Sequence, residues 1–387
     1  MNLFEKDKQY IMNTYGRFPL NIVKGKGSFC YDEKGKKYID LGTGIAVNTF
    51  GFCDKKWVKA VKKQVNLFQH TSNLYYQKPC VDLAENLCLK TGAKKVFFSN
   101  SGAEANECAI KIARKYAELK KGKEYYNILT LKNSFHGRTI TTLSATGQEV
   151  FHKDFTPLTQ GFIHTEANDI EMAKSLLESN KIAGVLVEVV QGEGGVMPLK
   201  KEFVQFLREY TKKNDILFMI DEVQTGNGRT GELYGYMNYG ITPDLFSTAK
   251  GLAGGLPLGA TVVFDKAENV LGAGMHGSTF GGNPVCASAA LSILNRLTPQ
   301  LFDQVKQKSQ YVISRLEKCK GVKNVSGLGF MLGIETEKDA KSIALKCIER
   351  GVLVLTAKNK VRLLPPLNVS FKTLEKAIDI LIDVIEE

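Results

Sequence analysis

Short apolar runs of strand length recur along this chain, and stretches with helical spacing separate them. Val96 to Phe98, Asn127 to Leu131, Ala183 to Val189, Ile216 to Ile220, Leu245 to Ser247 and Ala260 to Phe264 make up the series. Between them Ala109, Ile112, Ala113 and Tyr116 fall on one helical face, as do Phe203, Phe206, Leu207 and Tyr210. Strands that alternate with helices in this way predict an α/β fold with a helix-flanked, mostly parallel sheet, and the helical stripes are its core. After about Thr298 the pattern changes to a charged helix, two short runs around Gly327 and Gly333, a helix near Ala340 to Arg350 and a last helix from Thr373. The first forty residues carry Gly-rich turns such as Asp32-Glu-Lys-Gly35, which suit a short antiparallel piece beside that tail. With 387 residues the chain exceeds the roughly 250 to 300 at which one core usually stops growing. The expected division is an N-terminal segment over 1–50, a large domain over 51–297 and a small α+β domain over 298–387 that the N-terminal segment joins.

Composition excludes several classes of function. The formal charge is +12, but the lysines are spread along the whole sequence, and no basic block interleaved with aromatics appears. That predicts solvated basic faces and a mild pull on small anions, with no nucleic-acid partner. No apolar run is long enough to cross a bilayer, and the Met1 to Tyr10 segment is neither a secretory leader nor an arginine-rich transit peptide, so a cytoplasmic protein without a membrane partner is expected. The eight cysteines include no C-x-x-C pair and no closely spaced Cys/His set, which predicts reduced thiols and no metal centre.

Two strand ends carry the chemistry. Ile216 to Asp221 is an apolar strand that ends in a carboxylate, and a charge at the edge of a buried sheet is costly unless a cation meets it. A pyridinium nitrogen would serve, because the carboxylate keeps it protonated and lets the ring accept electrons. A helix cap or a magnesium ligand would also explain Asp221, although the second needs a phosphate loop and no G-x-x-x-x-G-K-[ST] occurs. Asp244 to Lys250 is a second short strand, followed at once by Gly251-Leu-Ala-Gly-Gly-Leu-Pro257. Any one lysine is by default a surface residue, but Lys250 stands where open parallel sheets bind ligands, and an apolar niche would make its amine a usable nucleophile.

Three further segments are less specific alone. Ser99-Asn-Ser-Gly-Ala-Glu104 joins a strand to a helix, so its N–H groups could hold a phosphate or its Ser and Asn could only cap the helix. Phe135 could stack on a planar ring and Arg138 could grip a carboxylate, or the pair could be a packed Phe and a helix-starting Arg. Gly226-Asn-Gly-Arg-Thr-Gly231 matches a dinucleotide-binding pattern, but its glycines begin several residues past the strand and no helical period follows.

In order along the chain, Ser101-Gly-Ala-Glu-Ala-Asn-Glu, Phe135-His-Gly-Arg-Thr, Glu188-Val-Val-Gln-Gly-Glu-Gly-Gly, Asp221-Glu-Val-Gln-Thr-Gly, Lys250-Gly-Leu-Ala-Gly-Gly-Leu-Pro and Gly277-Ser-Thr-Phe-Gly-Gly-Asn-Pro resemble the motifs of the class III aminotransferases, a family of fold-type I pyridoxal-phosphate enzymes. The resemblance runs from Tyr15 to the last helix. It implies pyridoxal 5'-phosphate as cofactor, with Gly102 and Ala103 on its phosphate, Ser101 beside them, Phe135 stacked on its ring, and Asp221, Val223 and Gln224 along its nitrogen and hydroxyl edge. Lys250 would hold the cofactor covalently and then shuttle the proton. Thr279 would reach the phosphate of a neighbouring subunit, which implies a homodimer with shared sites. Arg138, Ser278, Tyr15 and Gly44 would bind substrate. Arg362 would hold the α-carboxylate of the oxo acid, and Glu193 would cover that arginine while an ω-amino donor reacts.

The same resemblance implies ping-pong transfer of an ω-amino group to 2-oxoglutarate. Gly44 falls where ornithine aminotransferases resemble one another in carrying a tyrosine and GABA aminotransferases an isoleucine, so room for an acyl group favours N-acetylornithine. Succinyl-diaminopimelate, succinylornithine and ornithine are the alternatives. A non-transaminating enzyme with the same lysine, or a nucleotide-binding α/β protein, would be the rivals of another class. The chain departs from the family pattern at Gly51-Phe-Cys-Asp54, where relatives usually carry histidines.

Overall fold

A computed structural model describes residues 1–387. After a short helix, Leu3–Tyr10, come β1 (Ile22–Lys26), β2 (Phe29–Asp32) and β3 (Lys37–Asp40). The next strands are β4 (Lys95–Ser99), β5 (Asn127–Leu131), β6 (Phe162–Thr165) and β7 (Ile182–Val187), with the Gly102–Lys121 helix between the first two. A hairpin of β8 (Val190–Gln191) and β9 (Met197–Pro198) precedes the Lys201–Lys213 helix, and then come β10 (Leu217–Asp221), β11 (Leu245–Thr248) and β12 (Gly259–Val263). The C-terminal strands are β13 (Val322–Leu328), β14 (Met331–Thr336), β15 (Val352–Leu353), β16 (Leu355–Ala357) and β17 (Lys360–Leu363), and the chain ends in the Phe371–Glu386 helix.

Seven strands form the central sheet in the order β4-β12-β11-β10-β7-β5-β6. All run the same way except β12, which is antiparallel to both of its neighbours. Successive side chains of a strand point to opposite faces, and the core divides accordingly. Leu217 and Met219 pack on one side with Leu186, Leu245 and the Ala109, Ile112, Ala113, Tyr116 stripe. Phe218 and Ile220 pack on the other with Val185, Val187, Phe246, Phe203 and Leu207. The sheet is therefore covered on both faces, which is what unbroken apolar strands require.

A second sheet has the order β13-β14-β17-β16, and a third joins β1-β2-β3 to β15, with Ile39 opposite Val352 and Asp40 opposite Leu353. The N-terminal strands are thus tied to the C-terminal part of the chain. No helix is long and apolar enough to cross a membrane. The run Ala183 to Val189 stops being a strand at Val187, because the Glu188 carboxylate turns back to accept the N–H groups of Phe135 (2.8 Å) and Gly192 (3.1 Å). The glycine-rich 226–231 loop is used for packing. A Cβ at Gly228 would stand 2.7 Å from Leu367, and the buried Arg229 donates to the carbonyls of Phe330 (3.2 Å) and Pro365 (2.5 Å). Burial brings the Arg229 guanidinium down to about 9, against the pull of Asp40.

Candidate active site

The C-terminal ends of the parallel strands meet at a cavity of about 480 Å³. Gly102 and Ala103 reach it from the turn after β4, Phe135 and Arg138 from the turn after β5, Glu188 from the end of β7, Asp221 from β10, and Lys250 from the turn after β11. This is the edge at which open α/β sheets bind ligands.

Asp221 is buried, and most of its capacity is spent. Oδ2 accepts from Asn106 Nδ2 at 2.7 Å and from His136 Nδ1 at 2.8 Å, while Oδ1 accepts the Val223 N–H at 3.0 Å. A carboxylate only accepts, so Nδ1 of His136 carries the proton in this contact. Asn106 is fixed in turn, since its Oδ1 accepts from Ser247 Oγ at 2.6 Å and its Nδ2 also donates to the His136 carbonyl at 2.8 Å. The carboxylate borders the cavity with room for one more donor, and a protonated ring nitrogen has the charge and the hydrogen that this site lacks.

Lys250 faces the same space from a left-handed backbone, φ +43°, a conformation that strains a side-chain-bearing residue by about 1–3 kcal/mol. The turn is pinned by Asn227, whose Nδ2 donates to Thr248 Oγ1 (3.0 Å) and the Ala249 carbonyl (3.3 Å). Burial lowers the basicity of the Lys250 amine. Glu193 opposes this, Arg362 adds to it, and Asp221 and Glu188 again oppose it through charge alone. An amine in that state is a better nucleophile near neutral pH than a surface lysine.

The Gly102–Lys121 helix supplies an anion site. Ser101 is its N-cap, with Oγ accepting the Glu104 N–H at 3.2 Å and the carbonyl accepting the Ala105 N–H at 3.1 Å. The N–H groups of Gly102 and Ala103 precede the first of these bonds, and they open on the cavity at the positive end of the helix dipole. Gly102 has to lack a side chain, because a Cβ there would stand 2.7 Å from the Cγ atoms of Val223.

Phe135 forms part of the wall, with Phe151 edge-on at 6.1 Å and 83°. The Arg138 guanidinium lies 3.9 Å from the Phe151 ring centre and 5.5 Å from that of Phe135, exposed and without a carboxylate partner in this chain. Farther out, Arg362 Nη1 donates to Glu193 Oε1 at 2.6 Å and to Gln224 Oε1 at 3.2 Å. Its Nε is buried with no partner. Burial pushes the Glu193 carboxyl up, but the charge and hydrogen bond of Arg362 outweigh it and leave Glu193 below its ordinary value.

Six of the residues expected to bind cofactor or substrate lie outside the cavity wall of a single chain: Glu193, Arg362, Ser278, Thr279, Tyr15 and Gly44. Ser278 Oγ accepts from Asn100 Nδ2 at 3.1 Å and from the Gly281 N–H at 3.0 Å, so it braces the turn beside Ser101. Thr279 and Tyr15 are exposed, and Arg17 lies over the Tyr15 ring at 5.4 Å. Gly44 is exposed in a turn of four successive left-handed residues, Thr43 to Ala46. Thr43, Ile45 and Ala46 hold that conformation with side chains, so the backbone alone does not demand glycine at 44.

Asn106, His136 and Glu188 were not singled out from the sequence, yet they organise the site. Asn106 lies one helical turn after Gly102, a spacing that puts both on one face, and Glu188 ends an apolar strand just as Asp221 does. Burial pushes Glu188 up to about 7; His136 draws it down, and Asp221 pushes it further up.

A sequence profile for the family described as "Aminotransferase class-III" matches residues 10–385. The acetylornithine aminotransferase of Haemophilus ducreyi is 46% identical over 98% of this chain and 98% of its own length. The succinylornithine transaminase of Citrobacter koseri is 43% identical over 97% of this chain and 95% of its own length. Among solved structures, the ornithine aminotransferase of Toxoplasma gondii, described with partial occupancy of PLP at its active site, superposes with a TM-score of 0.95 at 28% identity, covering 99% of this chain and 93% of that one. With a profile that spans nearly all of its length and relatives this similar end to end, the chain belongs to the class-III aminotransferases.

Proposed function

We propose that this aminotransferase uses pyridoxal 5'-phosphate to move the ω-amino group of N-acetylornithine to 2-oxoglutarate, yielding N-acetylglutamate semialdehyde and glutamate, a step of arginine biosynthesis. The observation that carries the chemistry is the convergence of Lys250 and Asp221 on one cavity beside the free N–H groups of Gly102 and Ala103. The residues fit the cofactor: an anion site for its phosphate, the Phe135 ring for its plane, and a carboxylate with an unfilled position for its nitrogen. When bound, pyridoxal phosphate supplies an electron sink for the charge left when the substrate carbon loses its proton. Lys250 would hold it covalently, and its Nζ would take the proton from the substrate carbon and return it on the other side of the transfer. Gln224, on the cavity wall and accepting from Arg362 at 3.2 Å, would border the hydroxyl edge.

Arg362 gives the site two settings. While an ω-amino donor reacts, Glu193 covers the guanidinium. When the oxo acid enters, its α-carboxylate replaces Glu193 on the guanidinium. Arg138, on the cavity wall, would take the distal end of the substrate, and Ser278, Tyr15 and Gly44, which lie outside the single-chain wall, would join it.

A homodimer completes the site. Leu74, Tyr75, Tyr76 and Phe280 are 87%, 71%, 102% and 58% exposed, large apolar side chains of the kind that mark interaction sites. Asn73 ties that segment to the loop of Thr279 by donating to the carbonyls of Ser278 and Gly281, both at 3.0 Å. Covering this patch with a second subunit would carry Thr279 toward the neighbour's phosphate site. Sedimentation should therefore find a dimer at micromolar concentration, and a monomer with full activity would contradict the shared site.

The donor is tested by steady-state rates with saturating 2-oxoglutarate. The missing side chain at Gly44, where a Cβ would meet only Asn48 and Val47 at 3.9 Å, predicts that N-acetylornithine exceeds ornithine in kcat/KM by at least about tenfold, within the range that one contacting group can supply. Ornithine as the better donor would overturn the substrate assignment and leave the enzyme class intact. N-succinylornithine is the second reading, favoured by the Citrobacter relative. It would replace the first if it gave the higher kcat/KM.

A further inference from the structure

The Glu193 side chain that covers Arg362 is carried on the 192–196 loop of the β8–β9 hairpin, in which Gln191 pairs with Met197. That loop is strained and held from behind. Val196 is fully buried at φ +53°, a backbone conformation that β-branched residues rarely adopt. Its side chain fills the notch left by Gly333, where a Cβ would stand 2.8 Å from it. Its carbonyl accepts from Ser326 Oγ at 2.8 Å. Ser326 in turn accepts from Lys360 Nζ at 2.8 Å, and the same amine lies 3.2 Å from Met197 Sδ.

Lys360 is 5% exposed, and neither of these contacts is a carboxylate. A buried lysine amine is costly, and Glu335, opposite it on β14, acts on it through charge, so hydrogen bonds to a hydroxyl and a thioether need a reason. Along β17 it stands two residues before Arg362, and side chains two apart on a strand share a face. The strand therefore presents two cations to one hairpin. Arg362 meets the Glu193 carboxylate at the loop, and Lys360 fastens the stem just behind it.

We infer that Lys360, acting through Ser326 and Met197, is a positioning residue that sets how firmly Glu193 covers Arg362, and so sets the balance between ω-amino and α-amino donors. The inference rests on the two-setting role of Arg362 proposed above. With the anchor loosened, Glu193 leaves the guanidinium more readily. A substrate α-carboxylate then occupies Arg362 more easily, which favours glutamate and 2-oxoglutarate over N-acetylornithine.

The test uses the holoenzyme and measures each half-reaction alone, following cofactor absorbance with N-acetylornithine and, separately, with glutamate. Lys360→Met keeps the length and apolar stem, and Ser326→Ala removes the hydroxyl that joins the amine to the loop. Each variant should lower the ratio of kcat/KM for N-acetylornithine to kcat/KM for glutamate by about fivefold, through KM with kcat kept within about twofold, as the loss of one positioning hydrogen bond predicts. An unchanged ratio, or an equal fall in both half-reactions through kcat, would overturn the inference. Glu193→Gln, run in parallel, separates the two levels. If it shifts the ratio and Lys360→Met does not, only the anchoring role fails; if Glu193→Gln leaves the ratio unchanged, the two-setting role of Arg362 fails and the anchoring role falls with it.

Discussion

Replacing Lys250 with alanine should leave a folded protein that still binds pyridoxal phosphate but turns over on the order of 10⁴-fold more slowly, the scale of a lost acid–base group. The side chain contributes little to the fold. Its amine is held by charge rather than by hydrogen bonds, and the strained φ of +43° is carried by the Asn227 contacts to Thr248 and Ala249, which do not involve it. The anion site at Gly102 and Ala103 and the Asp221 carboxylate are untouched by the change. Cofactor content, measured after release in alkali, should therefore stay near one per chain while the rate collapses. A variant within tenfold of the parent rate would remove Lys250 from the chemistry.

Asp221→Asn should retain the cofactor and lose roughly 10²–10³-fold in kcat, comparable to removing one preorganised electrostatic contact. The reason lies in the hydrogen bonds around it. Asn106 and His136 both donate to one oxygen, at 2.7 and 2.8 Å, so an amide there must turn its carbonyl toward them. Its NH₂ group is then directed at the Val223 N–H and the cavity, and a donor stands where the ring nitrogen needs an acceptor. Both the charge and the polarity of the contact are lost, yet the volume is unchanged and stability should move little. Thermal unfolding separates the two effects: a fall in rate with Tm nearly constant is the expected outcome. A parent-like rate would show that the ring nitrogen does not depend on Asp221.

The fold was legible because its signals are local and repeated. Unbroken apolar strands such as Leu217–Asp221 and helical stripes such as Ala109 to Tyr116 can be satisfied only by a covered sheet, and both lie in the two-faced core. The reversal of β12 was not legible, because strand direction depends on pairing with β11 and β4, which no residue pattern in Gly259–Val263 records. At the site, Asp221 and Lys250 stood out as charges ending buried strands. Asn106, His136 and Ser247 did not, since their roles come from contacts between segments 30 to 141 positions apart. Lys360 was hidden for the opposite reason: among so many lysines nothing marks one as buried until β17 is placed against the Glu193 hairpin. Thr279 is exposed in a single chain, so its expected role depends on a second subunit.

Trapping the covalent link shows whether Lys250 carries the cofactor in this cavity. The purified protein, loaded with pyridoxal phosphate, would be reduced with borohydride to make a carbonyl–amine linkage permanent, then digested and mapped by mass spectrometry. The expected result is a single cofactor-sized addition on the peptide containing Lys250 and none in the Lys250→Ala protein. An addition on any other lysine, or none at all in a protein that transfers amino groups, would contradict it.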